Sequence, residues 1–285
     1  MSPLRLSTLT VLALLAFAGN SLLCRAALRH GGIDAASFTT IRILSGAIVL
    51  YLLVRLRGLR GEVPTGHGSW LSALALFAYA AGFSFAYVRL PTATGALLLF
   101  GAVQATMIGH GLWRGEHLSV AQKTGALIAF AGLVGLLLPG LSAPPLGSAC
   151  LMLAAGAAWG VYSVRGQSAG DPLRVTAGNF LRAIPLSVGL SVCLLGTVSA
   201  DSVGVIAALA SGALASGLGY AIWYTVLPSL RSTSAAVVQL GAPVLAGIGG
   251  IAWLGEPATI RFVLPALAVL GGIALVTVAP RAGGR

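Results

Sequence analysis

Ten apolar stretches recur along the chain, at 6–28, 37–56, 70–90, 92–113, 119–138, 146–164, 175–198, 203–227, 232–254 and 259–279. Each has the roughly 18 to 25 residues that a helix needs to cross the hydrocarbon layer of a bilayer. Short connections holding most of the Arg, Pro and acidic residues separate them. The pattern predicts ten transmembrane helices. Pro91 leaves room for only a tight turn, so the third and fourth form a hairpin. The first stretch carries Arg5 and then Ala16-Phe17-Ala18, which is similar to a leader cleavage site. Its apolar run continues to Leu28, and it is read as a retained helix.

Composition agrees with lipid as the surrounding solvent. Of 285 residues 57% are hydrophobic and 8% charged, where a soluble domain carries about a quarter as charges. The 39 glycines suit close helix approach in lipid. A net charge of +11 would fit nucleic acid only if it were clustered, and here the cations stand singly between apolar runs. They set orientation instead. With the N-terminus inside, eleven face the cytoplasm (Arg5, Arg55, Arg57, Arg60, Arg114, Lys123, Arg165, Arg174, Arg231, Arg281, Arg285) and four face out (Arg25, Arg29, Arg89, Arg261). This bias predicts a multi-pass protein with both termini cytoplasmic.

Catalytic chemistry has few candidates. The chain has six acidic residues and four histidines, and Cys24, Cys150 and Cys193 lack metal-ligand spacing. No CxxC, HExxH or P-loop sequence occurs. An enzyme, a metal centre and a cofactor are therefore not expected, and a monomer is favoured.

The chain also repeats itself at an offset of 140. Gly101-Ala102 matches Gly241-Ala242, Ile108-Gly109 matches Ile248-Gly249, and Trp113-x-Gly115-Glu116 matches Trp253-x-Gly255-Glu256: seven identities in sixteen positions. The same offset places Arg42 on Arg182 and Gly132 on Gly272. The expected halves are 1–139 and 145–280. Five helices per half is odd, so the second half enters the membrane inverted, an arrangement secondary transporters use to exchange inward and outward states.

On the two Trp-x-Gly-Glu sequences, the paired arginines and Trp159-Gly160, the chain resembles the drug/metabolite transporter superfamily, specifically its ten-helix EamA-type proteins. Ala18-Gly19 departs from the pattern in the first repeat, where Phe17 is the nearest aromatic. The resemblance implies an all-α fold of two inverted five-helix repeats. It also implies export of a small molecule (amino acid, metabolite or drug) across a bacterial inner membrane.

No carboxylate falls within a span. His110 is the one candidate proton carrier there, so transport without proton coupling is expected. Arg42 and Arg182 are costly in lipid and must face protein or water. Inverted topology puts Arg42 on the side of Glu256, and Arg182 on the side of Glu116. These four are gates or helix-end ties. Substrate-lining candidates are Phe17, Asn20, Tyr79, Phe83, Phe100, Gln104, Trp159, Tyr162, Tyr220 and Trp223, which lie inside their stretches; Tyr79 and Phe83 share a helix face. Pro185, Pro228, Pro243 and Pro265 would free backbone carbonyls for a ligand. An aromatic, charge-poor site suits a small amphipathic solute. Among the proteins resembled, exporters of aromatic or hydrophobic amino acids fit best. A drug exporter of the same fold and a non-transport protein such as a lipid scramblase are the alternatives.

Overall fold

The structure, a computed structural model, describes residues 1–58, 68–115, 117–138, 144–166, 171–226, 229, 238–257 and 259–279. Its helices are α1 (Pro3–Leu28), α2 (Ala35–Gly58), α3 (Trp70–Tyr87), α4 (Thr92–Trp113), α5 (Val120–Leu137), α6 (Leu146–Gly166), α7 (Pro172–Cys193), α8 (Ser202–Val226), α9 (Gly241–Leu254) and α10 (Ile260–Val278). Eight of them are long and apolar enough to cross a membrane, and α9 and α10 add two further apolar helices. Among the described residues the only extended pairing is an isolated bridge between Ile33 and Ala200.

Polar residues at the helix starts explain the boundaries. Ser2, Ser69 and Asp201 each accept a backbone N–H three positions on, satisfying donors that the first turn leaves free. Ser119 and Gln122 form a reciprocal capping box at α5. Asp171 caps α7, with Pro172 at its first position. That pair starts α7 at 172 rather than at the expected 175, and a 3₁₀ turn over Leu195–Thr197 follows its end at Cys193 rather than 198. Pro185 and Pro265 lie inside α7 and α10. Pro243 sits in the first turn of α9, where no N–H is needed. Pro228 and most of the expected start of the ninth span, 231–237, fall outside the described residues.

Packing follows an exchange of α1–α5 with α6–α10. The contacts α3–α6 and α4–α6 have counterparts in α8–α1 and α9–α1, and α2–α8 has one in α7–α3. The contacts α2–α7, α4–α9 and α5–α10 are their own counterparts. Glycines set the closest approaches. A Cβ on Gly272 would stand 2.5 Å from Gly125 O and Ala129 N, and one on Gly125 would stand 2.6 Å from Gly272 O. Gly156 and Gly160 of α6 likewise abut Leu99 O and Thr106 of α4. Small residues thus do in lipid what large interlocking side chains do in a soluble core.

The outer surface is apolar, including Val120, Leu127 and Phe130 on α5 and Ile206 and Leu214 on α8. The five tryptophans divide into two groups. Trp70, Trp113 and Trp253 lie at helix ends and are 62%, 85% and 65% exposed, as interfacial anchors are. Trp159 and Trp223 are turned into the bundle.

Candidate functional site

A polar network occupies the interior of the bundle. Arg42 of α2 is 2% exposed. Its Nη2 donates to the Tyr79 hydroxyl at 2.9 Å and its Nε to Ser216 Oγ at 3.3 Å. The guanidinium lies 5.0 Å from the ring centroids of both Tyr79 and Phe83, within reach of the negative face of each ring. Asn20 Nδ2 donates to the same hydroxyl at 3.3 Å, and Ser211 Oγ donates to Asn20 Oδ1 at 2.6 Å. Among the described residues Arg42 Nη1 has no partner.

Ser211 and Ser216 both reach this network because α8 is π-helical over Ser211–Leu218. In an α-helix, residues five apart point about 140° away from each other. The i→i+5 pattern of a π-helix brings them to one face. Gly212, between them, rests directly against Arg42 O and Ser45 Oγ, so no larger residue fits.

Around the network runs a column of rings. Tyr79 meets Trp159 at 4.7 Å and Phe83 at 5.5 Å. Trp159 stacks on Tyr162 and meets Tyr220, both at 5.2 Å. Phe17 joins Tyr220 at 6.1 Å and Trp223 at 5.8 Å. Eight of the ten expected lining residues are thus linked by ring or hydrogen-bond contacts: Phe17, Asn20, Tyr79, Phe83, Trp159, Tyr162, Tyr220 and Trp223. Phe100 and Gln104 are buried one turn apart on α4, and among the described ring contacts none joins Phe100 to the column. The rings pack on one another rather than around an open chamber. A cleft of about 20 Å³, room for a water molecule, lies beyond Tyr162, lined by Ser72, Arg165, Thr176, Asn179 and Tyr224.

At the end of the bundle where α1 finishes and α4 begins, a tie closes the network off. Glu256, just past α9, accepts Thr92 N at 2.8 and 3.0 Å and Thr92 Oγ1 at 3.1 Å. Its carboxylate therefore sits on the first turn of α4, where helix N–H groups and the dipole favour negative charge. Arg25 Nε pairs with Glu256 at 3.4 Å, and its Nη1 donates to Tyr87 O and Val88 O at the end of α3, both at 2.9 Å. Arg29 Nη1 donates to Leu254 O at 2.6 Å. The expected Arg42–Glu256 pair does not form. Helix N–H donors and a nearer cation take the carboxylate, and hydroxyls and ring faces take Arg42.

The opposite end differs. Arg165 Nε donates to Ser72 Oγ at 3.1 Å, and Arg182 Nη1 to Gly178 O at 3.0 Å. Glu116 lies outside the described residues. His110 is half-buried near the end of α4, its ring 6.1 Å from that of Trp113. Sequence reasoning passed over Arg25 and Thr92, though a signal existed. At the offset of 140, Arg25, Thr92 and Glu116 fall on Arg165, Ser232 and Glu256.

A second tie on the α1-finishing face joins the α1–α2 and α7–α8 connections. Asp34 Oδ1 accepts Ala36 N and Ser37 N, and its Oδ2 accepts Ser199 N. Burial pushes its carboxyl up, but the hydrogen bonds from Ser37, Ser199 and Ala36 outweigh that and hold it below the usual carboxylate value.

The sequence model of the EamA-like transporter family matches residues 146–278. The chain is 56% identical over 275 residues to the uncharacterized protein PA1977 of Pseudomonas aeruginosa, covering 96% of this chain and 95% of that one. It is 25% identical over 284 residues to an uncharacterized transporter of Archaeoglobus fulgidus, covering 94% and 96% of the two chains. A crystal structure of a protein 22% identical in sequence superposes with a TM-score of 0.68 over 95% of this chain and 98% of the other, a likeness of fold.

Proposed function

The chain belongs to the EamA-like transporter family, and from that premise we propose that it carries amino acids, preferentially those with apolar or aromatic side chains, across a bacterial inner membrane. It acts as an exporter or facilitator by alternating access, without chemistry on its cargo. The observation that carries this reading is the ring-lined polar network around Arg42, enclosed by both halves of the chain. In the orientation set by the charge bias, both termini are cytoplasmic and the Arg25–Thr92–Glu256 tie is the outer barrier. The halves are 1–139 and 145–280. At the offset of 140 the sequence counterparts of Arg25, Thr92 and Glu256 are Arg165, Ser232 and Glu116. Phe100 and Gln104 line the path from α4.

Uptake into proteoliposomes, screened over the twenty amino acids with and without a pH gradient, tests the proposal. Downhill flux of apolar and aromatic amino acids is expected without any gradient. Movement of labelled lipid with no amino-acid flux would favour the scramblase instead. Strict dependence on the gradient, abolished in His110→Ala, would replace the uncoupled mechanism with proton coupling.

A further inference from the structure

We infer that Arg42 binds the carboxylate of the transported solute; this rests on the transporter reading and narrows it. Guanidinium carries five N–H donors in a planar fork and stays charged. Here two of its three nitrogens reach neutral hydroxyls, and Nη1, fully buried, reaches no acceptor among the described residues. Neither hydroxyl neutralises the cation. Among the described residues the ion pairs are Arg25–Glu256 and Arg174–Asp171, and neither includes Arg42. A buried cation without a counterion is costly enough that membrane proteins keep it for a task.

The free donors specify what would complete the site. Tyr79 accepts from both Arg42 and Asn20, so in this arrangement its own O–H proton is left to donate. Arg42 Nη1 and the Tyr79 hydroxyl therefore present two donor atoms and one positive charge. A carboxylate supplies two acceptor oxygens and one negative charge, and pairs with guanidinium in the geometry that gives the strongest hydrogen bonds. A phosphate dianion would call for a second cation. Arg25 is bound to Glu256, Arg165 to Ser72 and Arg182 to Gly178, all away from this point. The faces of Phe83, Trp159 and Tyr220 are placed to take the apolar part of the solute. A solute entering from the cleft must pass the Tyr162–Trp159–Tyr79 column, so those rings part as it arrives.

Matched ligands on the purified protein test the assignment through its apparent Tm. The probes are phenylacetate, phenylacetamide, L-phenylalanine, phenethylamine and inorganic phosphate. The two carboxylates should raise the Tm at concentrations about tenfold lower than the amide or the amine, as loss of a charge-assisted bidentate pair implies. L-Phenylalanine against phenylacetate separates amino acids from plain monocarboxylates. Arg42→Lys, which keeps the charge but not the fork, should erase the preference for carboxylate over amide. Equal responses to phenylacetate and phenylacetamide, a response to phosphate alone, or no response to either carboxylate would each overturn the assignment. A preference that survives Arg42→Lys would do the same. Should that variant not fold, the wild-type comparison of acid with amide still decides. Amino-acid uptake without any carboxylate preference sinks the Arg42 assignment and leaves the transporter reading standing. A carboxylate preference in Tm without uptake does the reverse.

Discussion

Tyr79 and Trp159 meet with ring centroids 4.7 Å apart, and the contact spans the two halves of the chain. On its α2 side the Tyr79 hydroxyl holds Arg42; on its α6 side Trp159 leads through Tyr162 to the cleft. Tyr79→Phe keeps the ring and removes the acceptor shared by Arg42 and Asn20. It is expected to cost about 1–3 kcal/mol of stability, the penalty for stranding a buried donor, and to lower uptake. Thermal unfolding in detergent beside liposome flux separates the two effects.

Trp159 and Phe83 touch the same tyrosine from different depths. Phe83 is 1% exposed, and Phe83→Ala should cost the about 3–5 kcal/mol typical of an emptied core site. Trp159 is half-buried, so Trp159→Ala should cost less while lowering uptake or changing the preferred amino acid. Equal stability losses with unchanged flux per folded molecule would make Trp159 a packing residue.

Arg25 and Glu256 form a pair whose coupling a double-mutant cycle can read. Each single replacement, Arg25→Met or Glu256→Gln, strands a partner that faces helix-end groups. The double variant should then lose less than the sum of the singles, with an interaction of about 0.5–3 kcal/mol. The tie is also the proposed outer barrier, so both singles should raise the labelling rate of a cysteine introduced at Thr94. Additive losses with unchanged labelling would leave the pair as surface decoration.

Glycine replacements should divide sharply. Gly272→Ala places a methyl 2.5 Å from backbone atoms of α5, which cannot swing aside. Overpacking of this kind costs about 1–3 kcal/mol. A Cβ on Gly189 of α7 has nothing within 4 Å. Gly189→Ala should be neutral, or stabilising by about 0.5–1 kcal/mol through helix propensity. Apparent Tm values of the two variants check the contrast.

Asp34 gives the tie between the α1–α2 and α7–α8 connections a pH dependence with a definite sign. Its carboxyl titrates below the ordinary value of about 4, so the stability it supplies is present above that value and is lost as pH falls through the depressed one. Lowering pH from 5 toward 3 should reduce the Tm of the wild type more than that of Asp34→Asn. Parallel curves would exclude Asp34 as the source.

The spans were legible because a bilayer demands about twenty apolar residues whatever their identity, and the caps of α3 and α5 stand in plain view as Ser69 and Ser119. Asp171-Pro172 is as clear a helix start, but the hydropathy pattern weighted Val175 above it. The partners of Arg42 were less accessible. Pairing charge with charge is a sound first rule, yet it ignores helix N–H groups as competitors, and Thr92 won Glu256. The π-segment could not be read at all. Ser211–Leu218 has no proline to announce a break, and its register is set by Gly212 lying on the backbone of α2, a contact between residues 170 positions apart. Eight of the lining candidates come together because aromatics deep in an apolar helix have few places to go except one another.

The glycine seam between α5 and α10 would serve as the fulcrum of the proposed alternating access. Gly125, Gly132 and Gly272 bring the two backbones close, so that α5 and α10 meet backbone to backbone at Gly125 and Gly272. The helices meeting there are the last of each half, so the halves are pinned along a line at the rim while their other helices meet at the centre. Under the proposed alternating access, relative movement would become rocking about that line, and a small tilt at the seam would become a larger displacement at the far rim. Spin labels on the exposed faces of α5 and α10 should keep one distance throughout a transport cycle, while labels beside Arg29 and Leu254 should report two.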